Sequence, residues 1–143
     1  MAQDENLAAL GKLAEVVSNG NLAVLDEVFA PNVVDHDPAP DQEPGPDGYE
    51  RFFSGLRAAF PDLTVTVDRL VQTETDIAIA CTIHGTLAAS FAAIAPTGRP
   101  ITARGMQIAR FEDSKIVERW GSSDELGMLL KLGAKVSPGL PRH

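Results

Sequence analysis

Trp120 and Asp124, four residues apart in ERWGSSDELG, are the residues most able to do chemistry in this chain. At the period of two of an extended strand, Glu118, Trp120, Ser122 and Asp124 share one face. A carboxylate beside an indole in an enclosed apolar site loses hydration. Desolvation then raises its pKa toward the range where it can take and return a proton near neutral pH. Two other readings stay open. Asp124 also falls in the first turn of a short helix, which it can cap, and Trp120 can be a core residue.

The hairpin that carries these residues sorts the others. Asp113-Ser114 suits a two-residue turn, which sets Glu112 against Lys115, Phe111 against Ile116, Ala109 against Glu118 and Gln107 against Trp120. Gln107 then lies on the Trp120 face, and Arg110 lies on the opposite face with Met106, Ile108, Val117 and Arg119. A single bulged residue would exchange the two faces. His36, in VVDHDP, stands between Asp35 and Asp37, either of which would favour its imidazolium. Glu118 can serve the Trp120 face, reach solvent or pair with a cation across the hairpin. Arg99, in PTGRP, reads as a turn residue.

Other chemistries lack their residues. There is no G-x-S-x-G and no glycine-rich phosphate loop. The single cysteine, Cys81, rules out an internal disulfide and a multi-cysteine metal site, and it reads as a small buried hydrophobe. His36, His84 and His143 show no metal-ligand spacing, so no metal and no cofactor is expected. With a net charge of -8 and a pI near 4.7, nucleic acid and anionic membranes are poor partners. No apolar run approaches the roughly 20 residues that span a bilayer. Acids stand where a secretory leader would be basic, so the expected location is cytoplasmic.

The 143 residues suit one domain, with a core over 5–133 and a tail over 134–143 that is poorly ordered unless it docks. Leu7, Leu10, Leu13, Ala14 and Val17 form one stripe of a helix over 4–18. A second helix is expected from Asn21 as N-cap to Pro31, then a short strand over 33–36. DPAPDQEPGPD has four prolines in eleven residues and must be a loop, a candidate lid. Asp47 and Glu50 have capping-box spacing, and Tyr49, Phe52, Phe53, Leu56 and Phe60 form the stripe of a third helix. Beyond Pro61 the period changes to two. Strands follow around 63–68 and 77–83, then over 101–111 and 115–121, with a loop at roughly 88–100. A last helix runs from Ser122 to Gly133. The predicted class is α+β, with helices on one face of a curved antiparallel sheet. The third helix would wall a cavity floored by Gln107, Trp120 and Asp124. Met106, Ile108 and Val117 would leave an apolar sheet face that calls for a homodimer or larger homo-oligomer.

AAFPDLTVTVDRLV, APTGRPI and GMQIARFEDSKIVERWGSSDELGMLLKLG together resemble the SnoaL-like polyketide cyclases, or ester cyclase-like proteins, of the nuclear transport factor two-like superfamily. The similarity spans about residues 5–133. It implies an α+β cone around a deep apolar pocket, and a cofactor-independent enzyme that closes a ring by intramolecular aldol condensation. By motif position, Asp124 would be its general acid and base, and Gln107 and His36 would bind or polarise a carbonyl. Trp120, Tyr49, Phe52, Phe53, Leu56 and Glu118 would hold a small apolar carbonyl compound. Where many members have G-T-H-x-G, this chain reads GTLAASF, with Leu87 for the His and Ala89 for the Gly. A ketosteroid-isomerase-type proton shuttle and a non-catalytic ligand-binding cone are the alternatives. Epoxide hydrolysis would need an Asp-Arg-Asp site, and Arg110 is on the wrong face for it.

Overall fold

The computed structural model describes residues 2–39, 42–89, 98–124, 127, 130 and 131. The chain begins with α1 (Ala2–Asn19), a 3-10 turn (Leu22–Val24) and α2 (Leu25–Val28), and continues into β1 (Phe29–Asp35) and α3 (Pro46–Ala59). Four strands follow: β2 (Thr64–Gln72), β3 (Asp76–Thr86), β4 (Pro100–Glu112) and β5 (Lys115–Ser123). They form one curved, open sheet in the order β1-β5-β4-β3-β2, with the helices packed on one side. The α+β class is therefore as expected, although β1 pairs parallel to β5 while the other pairs are antiparallel.

The apolar surface of α1 is wider than the expected stripe, because Ala9 and Val16 are buried beside it. Ala9, Leu13 and Val16 pack into the main core with Val28, Phe29, Ile77, Phe111 and Ile116. The whole expected stripe, Leu7, Leu10, Leu13, Ala14 and Val17, lines a cleft, and Leu10 also packs against that core. A second, smaller cluster joins Val17, Ala59, Phe60, Leu63, Leu87 and Ile101.

Several local expectations need correction. The second helix ends at Val28, and Asn21 makes no side-chain cap. β1 already begins at Phe29, and Pro31 sits inside it, where the pairing to β5 is irregular between Phe29 and Val34. An edge strand tolerates proline at such a break, because no ladder hydrogen bond is lost there. α3 starts with Pro46 at its first turn and Gly45 as N-cap, so Asp47 forms no capping box. Pro40 and Asp41 of the Pro-rich loop, residues 90–97 of the loop before β4, and the tail over 134–143 lie outside the described residues. Of the expected last helix, Ser122 and Ser123 belong to β5 instead, and residues 125, 126, 128, 129, 132 and 133 lie outside the described residues.

The β4–β5 hairpin decides which side chains meet. Its turn is Asp113-Ser114 with both residues at positive φ, 50° and 63°, the two-residue geometry that matches strand twist. Phe111 faces Ile116 as the residue types predict, but the next pair is Arg110 with Glu118, so Val117 is bulged out. From there the expected register is displaced by one. Ile108 pairs with Trp120, and Gln107 pairs with Gly121. The bulge exchanges the faces of residues 118–123 relative to a regular hairpin.

Candidate functional site

A cleft of about 760 Å³ opens between α1, α3 and the concave side of the sheet, within the size range of ordinary small-molecule sites. Most of its wall is apolar: Leu7, Leu10 and Ala14 from α1, Phe52, Phe53 and Leu56 from α3, and Val65, Leu70 and Ile79 from the sheet. Polar groups gather at one end, where β1, β4, β5 and the start of α3 converge.

The centre of that end is Asp35, whose side chain is 7% exposed. Its Oδ1 accepts from the Asp37 backbone N–H at 2.9 Å and from Arg119 Nη1 at 3.1 Å. Its Oδ2 accepts from the Tyr49 hydroxyl at 2.8 Å, from Arg119 Nη1 at 3.2 Å and from Gln42 Nε2 at 3.3 Å. Burial alone pushes the Asp35 carboxyl upward. The Asp37 amide, the Arg119 charge, Tyr49 and Gln42 together outweigh it and hold the group below its ordinary value. Asp35 is therefore an ionised anchor at neutral pH. The Tyr49 phenol is driven well above its usual range by burial, then by the hydrogen bond and charge of Asp35. It stays protonated, and its ring stacks on Phe29 at 3.9 Å between centroids.

Arg119 is held from two sides. Nη1 reaches Asp35, and Nε donates to Gln107 Oε1 at 3.2 Å. Gly121 makes room for it, because a Cβ built there would overlap the guanidinium. No described residue accepts from Arg119 Nη2 or Gln107 Nε2, and both side chains line the cleft. They are two donors available to a ligand oxygen. Asp37, also in the lining, accepts from Gly121 N–H at 2.9 Å through Oδ2, and no described residue engages its Oδ1.

The expected site residues divide. Gln107, Tyr49, Phe52, Phe53 and Leu56 line the cleft. Trp120, Glu118 and His36 do not, because the Val117 bulge turns Trp120 and Glu118 to the outer face of the sheet, and the His36 ring lies there with them. The His36 ring stacks on Trp120 at 4.6 Å, and its Nε2 meets Glu118 Oε2 at 2.9 Å. Arg110, on the same outer face, donates to Glu118 Oε1 at 2.6 Å. Asp124 is exposed and absent from the lining, and its Oδ1 accepts from Gly127 N–H at 2.9 Å, the geometry of an N-cap. Of the expected floor residues Gln107, Trp120 and Asp124, Gln107 lines the cleft, and Arg119 and Gly121 stand beside it in place of the other two.

A sequence model of the SnoaL-like polyketide cyclases matches residues 8–132. The chain belongs to this family. Among solved structures it is 34% identical to IdmH from Streptomyces antibioticus, a candidate polyketide cyclase, over 90% of this chain and 99% of that one, with a TM-score of 0.78. The fold is shared with TsrD from Streptomyces laurentii (22% identity, 93% and 98% covered, TM-score 0.85) and with AclR, a candidate hydroxylase from Streptomyces galilaeus (24%, 92% and 97%, TM-score 0.79). No curated protein matches the sequence significantly.

Within this SnoaL-like chain, Leu87, where the resemblance leads one to expect the His of G-T-H-x-G, is fully buried against the Phe60 and Leu63 cluster. It fills core volume and does not line the cleft. The polar residues that sequence pattern passed over are Asp35, Asp37, Gln42 and Arg119. One local signal pointed toward the first two. In DHDP, which ends a strand before a proline-rich turn, alternation sends both acids to the side opposite His36.

Proposed function

We propose that the protein is a cofactor-independent cyclase-type enzyme acting on a small, mostly apolar carbonyl compound in this cleft. The observation that carries the reading is the pair of uncommitted donors, Gln107 Nε2 and Arg119 Nη2, at the polar end of an apolar wall. A carboxylate removes the acidic proton next to a carbonyl, and the two donors hold the enolate oxygen. The enolate carbon then bonds to a second carbonyl carbon of the same molecule. The new alkoxide takes the proton back from the carboxylic acid, so the product is an isomer of the substrate.

Asp37 suits the proton-transfer role better than Asp35, whose oxygens are occupied by four donor groups. Asp124, favoured by its motif position, enters as the alternative acid and would first have to release Gly127. The experiment is deuterium uptake from D2O into aryl β-keto esters carrying a second carbonyl, with ring closure followed separately by chromatography. Asp37→Asn and Gln107→Ala are expected to slow uptake tenfold or more, while Asp124→Asn keeps the rate and lowers the melting temperature. Loss of uptake in a folded Asp124→Asn with Asp37→Asn unaffected would move the acid to Asp124. Uptake without a ring product would favour the isomerase-type shuttle. Binding without uptake would leave a ligand-binding cone.

Arg119 gives a second reading some support, since an arginine beside two acids suits water attack on an epoxide. Asp35 argues against it, because a carboxylate already accepting from four groups has little capacity to activate water. Formation of a diol from an aryl epoxide would reverse that judgement. The outer face supports a homodimer: Ile108 is 44% and Trp120 36% exposed, and the two pair across β4 and β5. Sedimentation of Ile108→Glu as a monomer where wild type is a dimer is the expected outcome.

A further inference from the structure

Gly121, Gln107, Ile79 and Leu70 form one row across β5, β4, β3 and β2, and all four line the cleft. Three strand spacings make that row roughly 14 Å long. The polar donors stand at its β5 end. At the β2 end α1 packs against β2, and Leu7, Leu10, Gly11 and Ala14 form the wall.

Gly11 is the unexplained residue of that wall. A glycine inside a helix is destabilising relative to alanine, since it fixes the most mobile backbone and contributes no side chain. Backbone conformation does not demand it, because the glycines at positive φ are Gly20, Gly45 and Gly98. Crowding does not demand it either, as a Cβ at Gly11 would meet nothing within 4 Å among the described residues. What Gly11, itself exposed, leaves is open space along the cleft lining. Gly55 in α3 is the natural control: it too is helical and uncrowded, but it does not line the cleft.

We propose that Gly11 sets the length of ligand the cleft accepts, its missing side chain leaving room for the far apolar end of an elongated molecule. This rests on the reading of Arg119 and Gln107 as the site of the ligand's carbonyl or carboxylate end. The exposed apolar side chains nearby, Leu7, Phe52 and Val67 at 42%, 41% and 45%, fit the same ligand by offering it cover along the opening.

The test measures binding of benzoate, 2-naphthoate and 2-anthroate to the full chain by titration calorimetry, three carboxylates that differ only in apolar length. Wild type is expected to bind 2-anthroate tightest. Gly11→Leu is expected to weaken 2-anthroate tenfold or more and to leave benzoate within twofold, with Gly55→Leu changing neither. Should Gly11→Leu fold poorly, Gly11→Ala serves, with a raised melting temperature matching that of Gly55→Ala but a loss of 2-anthroate affinity that Gly55→Ala lacks. Equal loss for all three acids, no loss for any, or no binding by wild type would overturn the proposal. Arg119→Ala separates the two readings. If it binds all three acids like wild type, the polar end is misassigned, and the length dependence at Gly11 is judged on its own.

Discussion

The two faces of the β4–β5 hairpin each carry an arginine paired with an acid, and they differ in what encloses the pair. On the concave face Arg119 meets Asp35, with side chains 25% and 7% exposed, under Tyr49 and Gln42. On the outer face Arg110 meets Glu118 at 35% and 26%, with His36 on the second oxygen. The residue types are alike. Enclosure makes one pair a fixed element of a cleft floor and leaves the other in reach of water and salt. Chemistry at neutral pH depends on that difference, because low local dielectric strengthens every donor aimed at a developing charge.

The largest effect expected is from Arg119→Ala. It removes the cation from a carboxylate that is mostly out of water. Breaking a fully buried pair costs about 3–5 kcal/mol. Asp35 keeps Tyr49, Gln42 and the Asp37 amide, and Arg119 is a quarter exposed, so about 2 kcal/mol is expected in urea unfolding. The acid limb tests the same contact. Asp35 has its folded pKa lowered from 3.8, so its contribution is fully present above that value and is lost as pH falls through the folded one. Asp35→Asn should flatten the stability curve in that acid window and leave it unchanged in shape near neutrality. A steeper acid limb in Asp35→Asn would show that the carboxylate is not the stabilised form.

Gly121→Ala sharpens the comparison by moving Arg119 without removing it. The added methyl meets the far end of a flexible side chain, so the fold can yield at small cost. The guanidinium cannot then keep both Asp35 and Gln107. Affinity for an aryl carboxylate should fall about tenfold, or ~1.4 kcal/mol, with a smaller change in urea midpoint than Arg119→Ala. Affinity equal to wild type would mean that Arg119 does not face the ligand.

Much of the architecture was legible because period and punctuation carry it. The helical stripe over residues 4–18, the change to period two after Pro61 and the Asp113-Ser114 turn each follow from local backbone preference. The α3 aromatics came through for the same reason. The site was less legible, because it depends on long-range register. A bulge such as that at Val117 leaves no compositional trace, being one β-branched residue among others, yet it exchanges every side chain after it. Arg119 and Trp120 therefore changed places. Asp35 was passed over because its partners come from residues 37, 42, 49 and 119, and only the fold brings them together. The spacing of Asp124 suits a strand face and a helix cap alike, and its hydrogen bond from the Gly127 N–H is that of a cap.

The smallest effect concerns the outer pair, and it is the control on which the comparison rests. Arg110 also reaches Glu112 at 2.9 Å, and Glu118 is held below its ordinary carboxyl range first by His36 and then by Arg110. Each charge therefore has a substitute partner as well as water. A double-mutant cycle between Arg110 and Glu118 should give a coupling smaller than that between Arg119 and Asp35, and in about 1 M salt, where the Debye length is ~3 Å, it should vanish. The inner coupling should survive the same salt, because ions cannot enter between groups covered by Tyr49 and Gln42. If the two couplings prove equal and fall together with salt, enclosure does not distinguish the faces. The donors Arg119 and Gln107 would then have no electrostatic advantage over an arginine on any exposed strand.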